Sequence, residues 1–281
     1  MIGATVVVTN DDTSATILST TWQGSDIAVQ VNAGVDYTVA VGSITDYIIR
    51  QNTQSYTAVS GLSRIIEFSY FGNAVDMGLP SGILWARKNL DASQTSGFAA
   101  NEFQYNCSFF SWGNVVGHNP ISDSAFSYDF GTGNTDSYAS TPGAALTGNI
   151  PVSKDYDAAR NILGEPWRMP TQDDFVELIN GCDFVQSDGT TVISGTDKRV
   201  TINNVIGIYL KSKTNGNLLF LPCSGRGKGT EWQSKGDNGG YWASTLPSNT
   251  NMGTYLLFDS SSVNPQKTGT RYVGFTIRPV L

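Results

Sequence analysis

Charge is scarce in this 281-residue chain. Lys, Arg, Asp and Glu make up 15% of it, against about 25% in an average globular protein. The balance is acidic, 24 Asp and Glu against 17 Lys and Arg for a net charge of −7. Such a chain has no general attraction for phosphate backbones, so nucleic acid is disfavoured as a partner. Histidine is nearly missing: there is one, His118, which removes most His-based triads and zinc sites at once. It sits in a Gly-His-Asn-Pro turn, where a solvated ring is expected. The 3 cysteines, Cys107, Cys182 and Cys223, are widely spaced and form no CxxC. At most one disulfide could close, and small buried thiols are the favoured reading. No run approaches about 18 consecutive apolar residues, so no membrane insertion is expected. Met1 to Asn10 carry neither a basic stretch nor an apolar signal core, which fits a chain not exported by the usual route, or a mature form.

Apolar material is plentiful. Hydrophobic residues make up 40%, with 13 Phe, 12 Tyr and 6 Trp, enough for a real core. With so little charge, the polar surface must come from hydroxyls and amides. That balance fits an extracellular, cell-surface or virion-exposed β protein. The length suggests about two domains at roughly 150 residues each.

The first 72 residues carry short β-branched or aromatic runs: Ala4–Val8, Ala28–Val31, Tyr37–Val41, Gln54–Ala58 and Ile65–Tyr70. Turn clusters such as Asn10-Asp11-Asp12 and Ala33-Gly34 separate them, and strands at this spacing predict a small antiparallel sandwich. Phe71-Gly72-Asn73-Ala74 ends the pattern, so the boundary falls between domains 1–73 and 74–281. Beyond it two helices are predicted. The first covers Lys154 to Leu163, capped by Ser153 and stopped by Gly164. The second covers Gln172 to Asn180, with Thr171 and Asp174 as a capping box and Phe175, Leu178 and Ile179 facing inward. Strands are expected at Val200–Ile202, Gly207–Leu210, Leu218–Leu221 and Tyr255–Phe258. Tyr272–Val280 alternates, placing Val273, Phe275 and Ile277 on one face and Thr276 and Arg278 on the other.

Several strings carry a resemblance. They are Val75-Asp76-Met77-Gly78-Leu79-Pro80-Ser81-Gly82-Ile83-Leu84-Trp85-Ala86, Phe110-Ser111-Trp112-Gly113-Asn114, Trp167-Arg168-Met169-Pro170-Thr171, Gly240-Tyr241-Trp242-Ala243-Ser244-Thr245 and Arg271-Tyr272-Val273-Gly274-Phe275-Thr276-Ile277-Arg278. Their order and spacing resemble the Fibrobacter-type major paralogous domain of gut bacteria and their phages, over about residues 75–281. The resemblance implies a C-type-lectin-like fold, shared with the variable proteins of diversity-generating retroelements and with formylglycine-generating enzymes. It also implies that Ile83–Arg87 pairs with Tyr272–Pro279. The N-terminal part resembles an immunoglobulin-like β-sandwich. The expected class is therefore α+β: an antiparallel β-sandwich followed by a lectin-like domain with two helices and small twisted sheets.

The same resemblance frames the candidate sites. Calcium-dependent lectins use Glu-Pro-Asn or Gln-Pro-Asp with Trp-Asn-Asp. Here Glu165-Pro166-Trp167 and Leu246-Pro247-Ser248 lack the oxygens a hard cation needs, so no metal is implied. Formylglycine-type catalysis needs a late cysteine pair, and only Cys223 is late. Asp173, Asp174 and Glu177 open a helix, where carboxylates serve as caps. No catalytic residue and no cofactor is implied. The loops within Gly225–Tyr272 are rich in Gly and Asn and are flanked by stiff segments, which is where binding usually lives. The candidate ligand contacts there are Trp232, Tyr241 and Tyr255 as aromatic anchors, with Asp237, Asn238, Asn249, Asn251 and Arg271 as polar partners. The retroelement resemblance places variable residues in this stretch. The expected function is a non-enzymatic adhesin or receptor-binding protein for an unknown protein or glycan ligand. A phage fibre of this kind would be a homotrimer. The alternatives are a ligand-free structural subunit of a tail or pilus, and an enzyme of the formylglycine-generating type.

Overall fold

The structure, a computed structural model, describes residues 4–22, 27–42, 47–49, 53–66, 70–133 and 136–281. Contacts divide the chain into Met1–Ala74 and Val75–Leu281, one residue past the boundary expected from the turn cluster.

In the first unit, antiparallel strands lie in the order Thr16–Thr21, Thr5–Asn10, Asp36–Val41, Thr53–Thr57. Period-2 alternation sets the buried face: Tyr37, Val39 and Val41 point in, while Asp36, Thr38 and Ala40 do not. Val8 joins Tyr37 and Val39 in a small core, with Val29, Val31 and Tyr56 packed against it. Ala28–Val31, expected as a strand, is irregular, although two of its valines still supply apolar cover. Thr16–Thr21 is a strand whose hydroxyl-rich sequence hid it. Tyr47–Ile49 pairs with Tyr70–Gly72. Of the expected strand Ile65–Tyr70, residues 67–69 lie outside the described part.

In the second unit both expected helices form, one of them shorter. Ala158–Leu163 is capped by Asp157 rather than Ser153. Asp157 is fully buried and accepts from Arg160 N at 3.0 Å and Met169 N at 2.9 Å. Its bond to Met169 reaches beyond the helix, so tertiary structure chooses the cap. Gln172–Gly181 carries the complete Thr171–Asp174 capping box, and Arg168 Nη1 meets Asp174 at 2.6 Å. Trp167 and Met169, on either side of that arginine, are buried.

The α+β expectation with a lectin-like second domain is overturned. Strand accounts for 36% of the structure and helix for 9%, arranged as several small antiparallel sheets. One centres on Val205–Ser212, which pairs with Cys182–Phe184, Arg199–Ile202 and Leu218–Pro222. A second stacks Gly239–Trp242, Met252–Phe258 and Val263–Thr270. A third runs Arg226–Lys228, Glu231–Gln233, Ala125–Phe126, Pro120–Ser122. The physical reason is local. The two apolar helical stripes span 6 and 10 residues, and the Gly-, Ser- and Thr-rich sequence around them favours hairpins and turns over longer helices.

The alternation expected for Tyr272–Val280 also fails. Residues 271–281 are buried on both faces, because the segment runs between partners rather than along a surface. Phe275 bridges Phe110, Thr276 bridges Tyr241, and Val280 bridges both Trp85 and Arg168. The expected neighbour segment lies close by in a shifted register: Leu84 N donates to Leu281 O and Ala86 N to Pro279 O, each at 2.8 Å. Arg278, expected on the outward face, is fully buried. Its Nη1 donates to the carbonyls of Ala86, at 3.1 Å, and Arg87, and its Nη2 to that of Phe220 at 3.0 Å. Among the described residues no carboxylate comes within 4.0 Å of it. Replacing Arg278 with Ala leaves three carbonyls without their donor and opens a cavity. A loss of more than about 3 kcal/mol is expected in urea unfolding.

A candidate binding groove

The eight residues singled out in the sequence do not share a surface. Tyr241 is fully buried: its hydroxyl donates to Pro222 O at 2.8 Å and its ring stacks on Phe258. Burial pushes that phenol far above its ordinary pKa. Tyr255 stacks on Phe275 at 4.5 Å and meets Trp242 edge-on. Arg271 is buried, donating to Gly143 O at 2.9 Å and Leu146 O at 2.8 Å, with its guanidinium 4.4 Å from the Trp112 ring centroid. Trp232 is 7% exposed. Its Nε1 donates to Ser224 O at 2.6 Å and its ring meets Phe109 edge-on. These four are core residues, not free anchors: Trp232, Tyr241 and Tyr255 lie on packed strands, and Arg271 is buried in the turn that follows Val263–Thr270.

The other four lie at or near the surface. Asp237 accepts from Arg199 Nη1 at 3.1 Å, and Asn238 follows it, half-buried. Asn249 and Asn251 are exposed in a separate turn, where Asn249 Oδ1 accepts Asn251 N at 3.1 Å and opens the strand from Met252. These are local turn bonds of the kind Asn makes anywhere.

The structure does gather a different set. Strand Pro120–Ser122, the hairpin turn at Asn203–Asn204 and the Phe103–Asn106 segment enclose an open groove of about 630 Å³. The turn joins Arg199–Ile202 to Val205–Ser212, and both asparagines take left-handed backbone, φ 50° and 64°, as a two-residue hairpin demands. Tyr105 is pinned because its hydroxyl accepts from Ile206 N at 2.6 Å. Phe103 leans on Phe220 at 5.2 Å. Trp232 forms part of the groove floor, held by the strand pair Arg226–Lys228 and Glu231–Gln233. That pair packs tightly: Gly227 and Gly274 exchange backbone hydrogen bonds at 2.8 and 2.9 Å, and a Cβ on either would lie about 2.4–2.5 Å from the Phe130 ring. At the rim Lys235 Nζ bonds Asp123 at 2.6 Å, and Ile121 stands 68% exposed. The Asn-Asn pair between two β-branched runs was a legible hairpin signal. Nothing in the local sequence marks residues 103–106 or 120–123 as its neighbours.

Elsewhere the chemistry is quiet. The three thiols are free and buried, and burial pushes Cys107 up to about 11 and both Cys182 and Cys223 up to about 12, so none is a thiolate nucleophile at neutral pH. Among the described residues no three of His, Cys, Asp and Glu converge as metal ligands, and no helix is long and apolar enough to cross a membrane. His118 is half-buried, not the freely solvated ring expected from its turn. Its ring stacks on Tyr128 at 3.5 Å, Nε2 is sealed without a partner, and burial lowers its pKa to about 4.

No protein-family model matches the chain, and neither a curated protein nor a solved structure does.

Two outcomes follow from these placements. Trp232→Ala should lower stability by about 3–5 kcal/mol in urea unfolding, the usual cost of deleting a core tryptophan. An unchanged midpoint would return Trp232 to the surface. His118 ionises more readily unfolded, near 6.5, than folded, near 4. Its contribution is therefore complete above about pH 6.5 and is lost as pH falls towards 4, on the order of 1–2 kcal/mol for a partly solvent-facing ring. His118→Phe should remove that part of the acid sensitivity in melts run from pH 7 to 4.

Proposed function

We propose that the protein is a non-enzymatic ligand-binding protein, an adhesin or receptor-binding protein working at a cell surface or on a virion, and that the groove beside the Asn203–Asn204 turn is its binding site. One contrast carries this reading. The polar atoms of the groove's aromatic floor are already satisfied, Tyr105 by Ile206 and Trp232 by Ser224. Among the described residues, the side-chain amides of Asn106, Asn203 and Asn204 bond to nothing in the protein. Rigid apolar rings beside unspent donors and acceptors are what a recognition site requires. The buried, protonated thiols argue against the formylglycine-type alternative.

Retroelement diversification within 226–272 would be confined to exposed positions such as Asp237, Asn249 and Asn251, which lie outside the groove, so it is a separate reading from the groove. Exchanges at Tyr241 or Tyr255 would open the core. On a phage fibre the protein would form a trimer, which light scattering reports directly.

The test is binding to a glycan and cell-surface array, repeated with Asn106→Ala and Asn203→Gly together, glycine keeping the left-handed turn. Two hydrogen-bonding side chains at about 0.5–1.5 kcal/mol each predict a loss of roughly tenfold in affinity with an unchanged melting temperature. An array blank for the wild-type protein would favour the ligand-free structural subunit instead.

A further inference from the structure

Among the described residues lining the groove, Lys235 is the only cation and Asp123 the only anion. Lys235 does not depend on Asp123 for its position. Its ammonium lies 4.8 Å from the Trp232 ring centroid and 5.7 Å from that of Tyr105, an electrostatic seat on two ring faces. Its backbone leaves a tight turn in which Ser234 and Gly236 both take left-handed φ, 56° and 76°. The Lys235 side chain is 26% exposed, whereas that of Asp123 is 94% exposed. An ion pair with one partner so fully in water contributes little, about 0–1 kcal/mol. A carboxylate arriving with a ligand can therefore replace Asp123 on an ammonium that is already in place.

The rest of the groove suits a polyhydroxylated partner. Primary amides donate and accept in one plane, which matches neighbouring hydroxyls, and Asn106, Asn203 and Asn204 offer three of them. Ile121 and Phe103 provide an apolar patch for the C–H face of a sugar ring. A cationic ligand fits less well, because Lys235 already occupies the ring faces it would need. We propose that the ligand is an acidic saccharide, one carrying a hexuronate or sialate residue, whose carboxylate takes Lys235 from Asp123. This rests on the groove being the binding site. With a net charge of −7 the protein does not steer anions from a distance, so recognition is short-range and depends on this one contact.

Calorimetric titration of the full chain with 3′-sialyllactose and trigalacturonate, against lactose and galactotriose, tests the proposal. At least one acidic probe should bind about tenfold more tightly than its neutral counterpart, as expected for one charge-assisted contact. Asp123→Asn should tighten the acidic probe several-fold by removing the competitor and leave the neutral probe unchanged. Lys235→Gln should erase the preference, and Lys235→Arg should restore most of it. If Lys235→Gln fails to fold, Asp123→Asn and Lys235→Arg decide the matter on their own. Equal affinities for acidic and neutral probes, both weakened by Asn106→Ala, would overturn the acidic preference while leaving the groove as the site. No binding of any of the four probes would overturn the saccharide assignment, and the array with Asn106→Ala would then judge the groove separately.

Discussion

Burying a guanidinium without a carboxylate partner is among the more costly things a fold can do, and the second unit does it twice. Arg278 and Arg271 both end inside, each solvated by backbone carbonyls instead of water. Desolvation lowers the pKa of Arg278, yet arginine stays charged in proteins, so the cost is met only while those carbonyls remain in place. The acceptors lie far apart in sequence: Ala86 and Arg87 near the start of the unit, Gly143 and Leu146 in its middle, Phe220 beyond. Each arginine therefore fixes the backbone of distant segments at once. The final eleven residues are less the last strand of a sheet than a rod around which the small sheets are set.

That arrangement explains why the aromatic residues near the C-terminus are unavailable to a ligand. A rod buried on both faces needs large side chains around it. Tyr241, Trp242 and Tyr255 supply them, stacking on one another and on Phe275 and Phe258. Recognition is displaced to where the packing ends. There the outer edge of the Phe109, Phe126, Phe130 and Trp232 cluster meets the 203–204 hairpin, and ring edges, amides and one lysine come within reach of water. Trp232 belongs to both regions, a core residue by area and a groove residue by position. Its replacement therefore reports on stability before it reports on binding.

Much of the local structure was legible from the residues alone. The Thr171–Asp174 box, the left-handed stop at Gly164, the alternation from Asp36 to Val41 and the burial of the thiols each follow from interactions within a few residues or from composition. The misreadings share a cause. Ser153 is a sound cap for a helix in isolation, but Asp157 wins because it also holds Met169. Tyr272–Val280 alternates as a half-exposed strand would, but period-2 patterning cannot tell water from a second layer of protein when the inward polar residues are Thr276, bonded near Cys107, and an arginine with three carbonyls. A Gly- and Asn-rich stretch read as a loop-borne binding face proved to be a tight hairpin sheet, because those glycines let backbones approach rather than let the chain roam.

By itself the sequence placed the two helices and the strands richest in β-branched and aromatic residues, such as Asp36–Val41, Val205–Ser212 and Leu218–Pro222, and it marked the turn cluster near residue 73. These depend on residue type and near-neighbour spacing, which a linear string contains. The tertiary structure alone decided that the protein is mainly β, that the terminal segment is interior, and that Tyr105, Ile121, Asn203 and Lys235 border one groove. Those facts depend on contacts between residues up to nearly 200 positions apart, as Leu84 and Leu281 are, and no local propensity encodes which distant segments will meet.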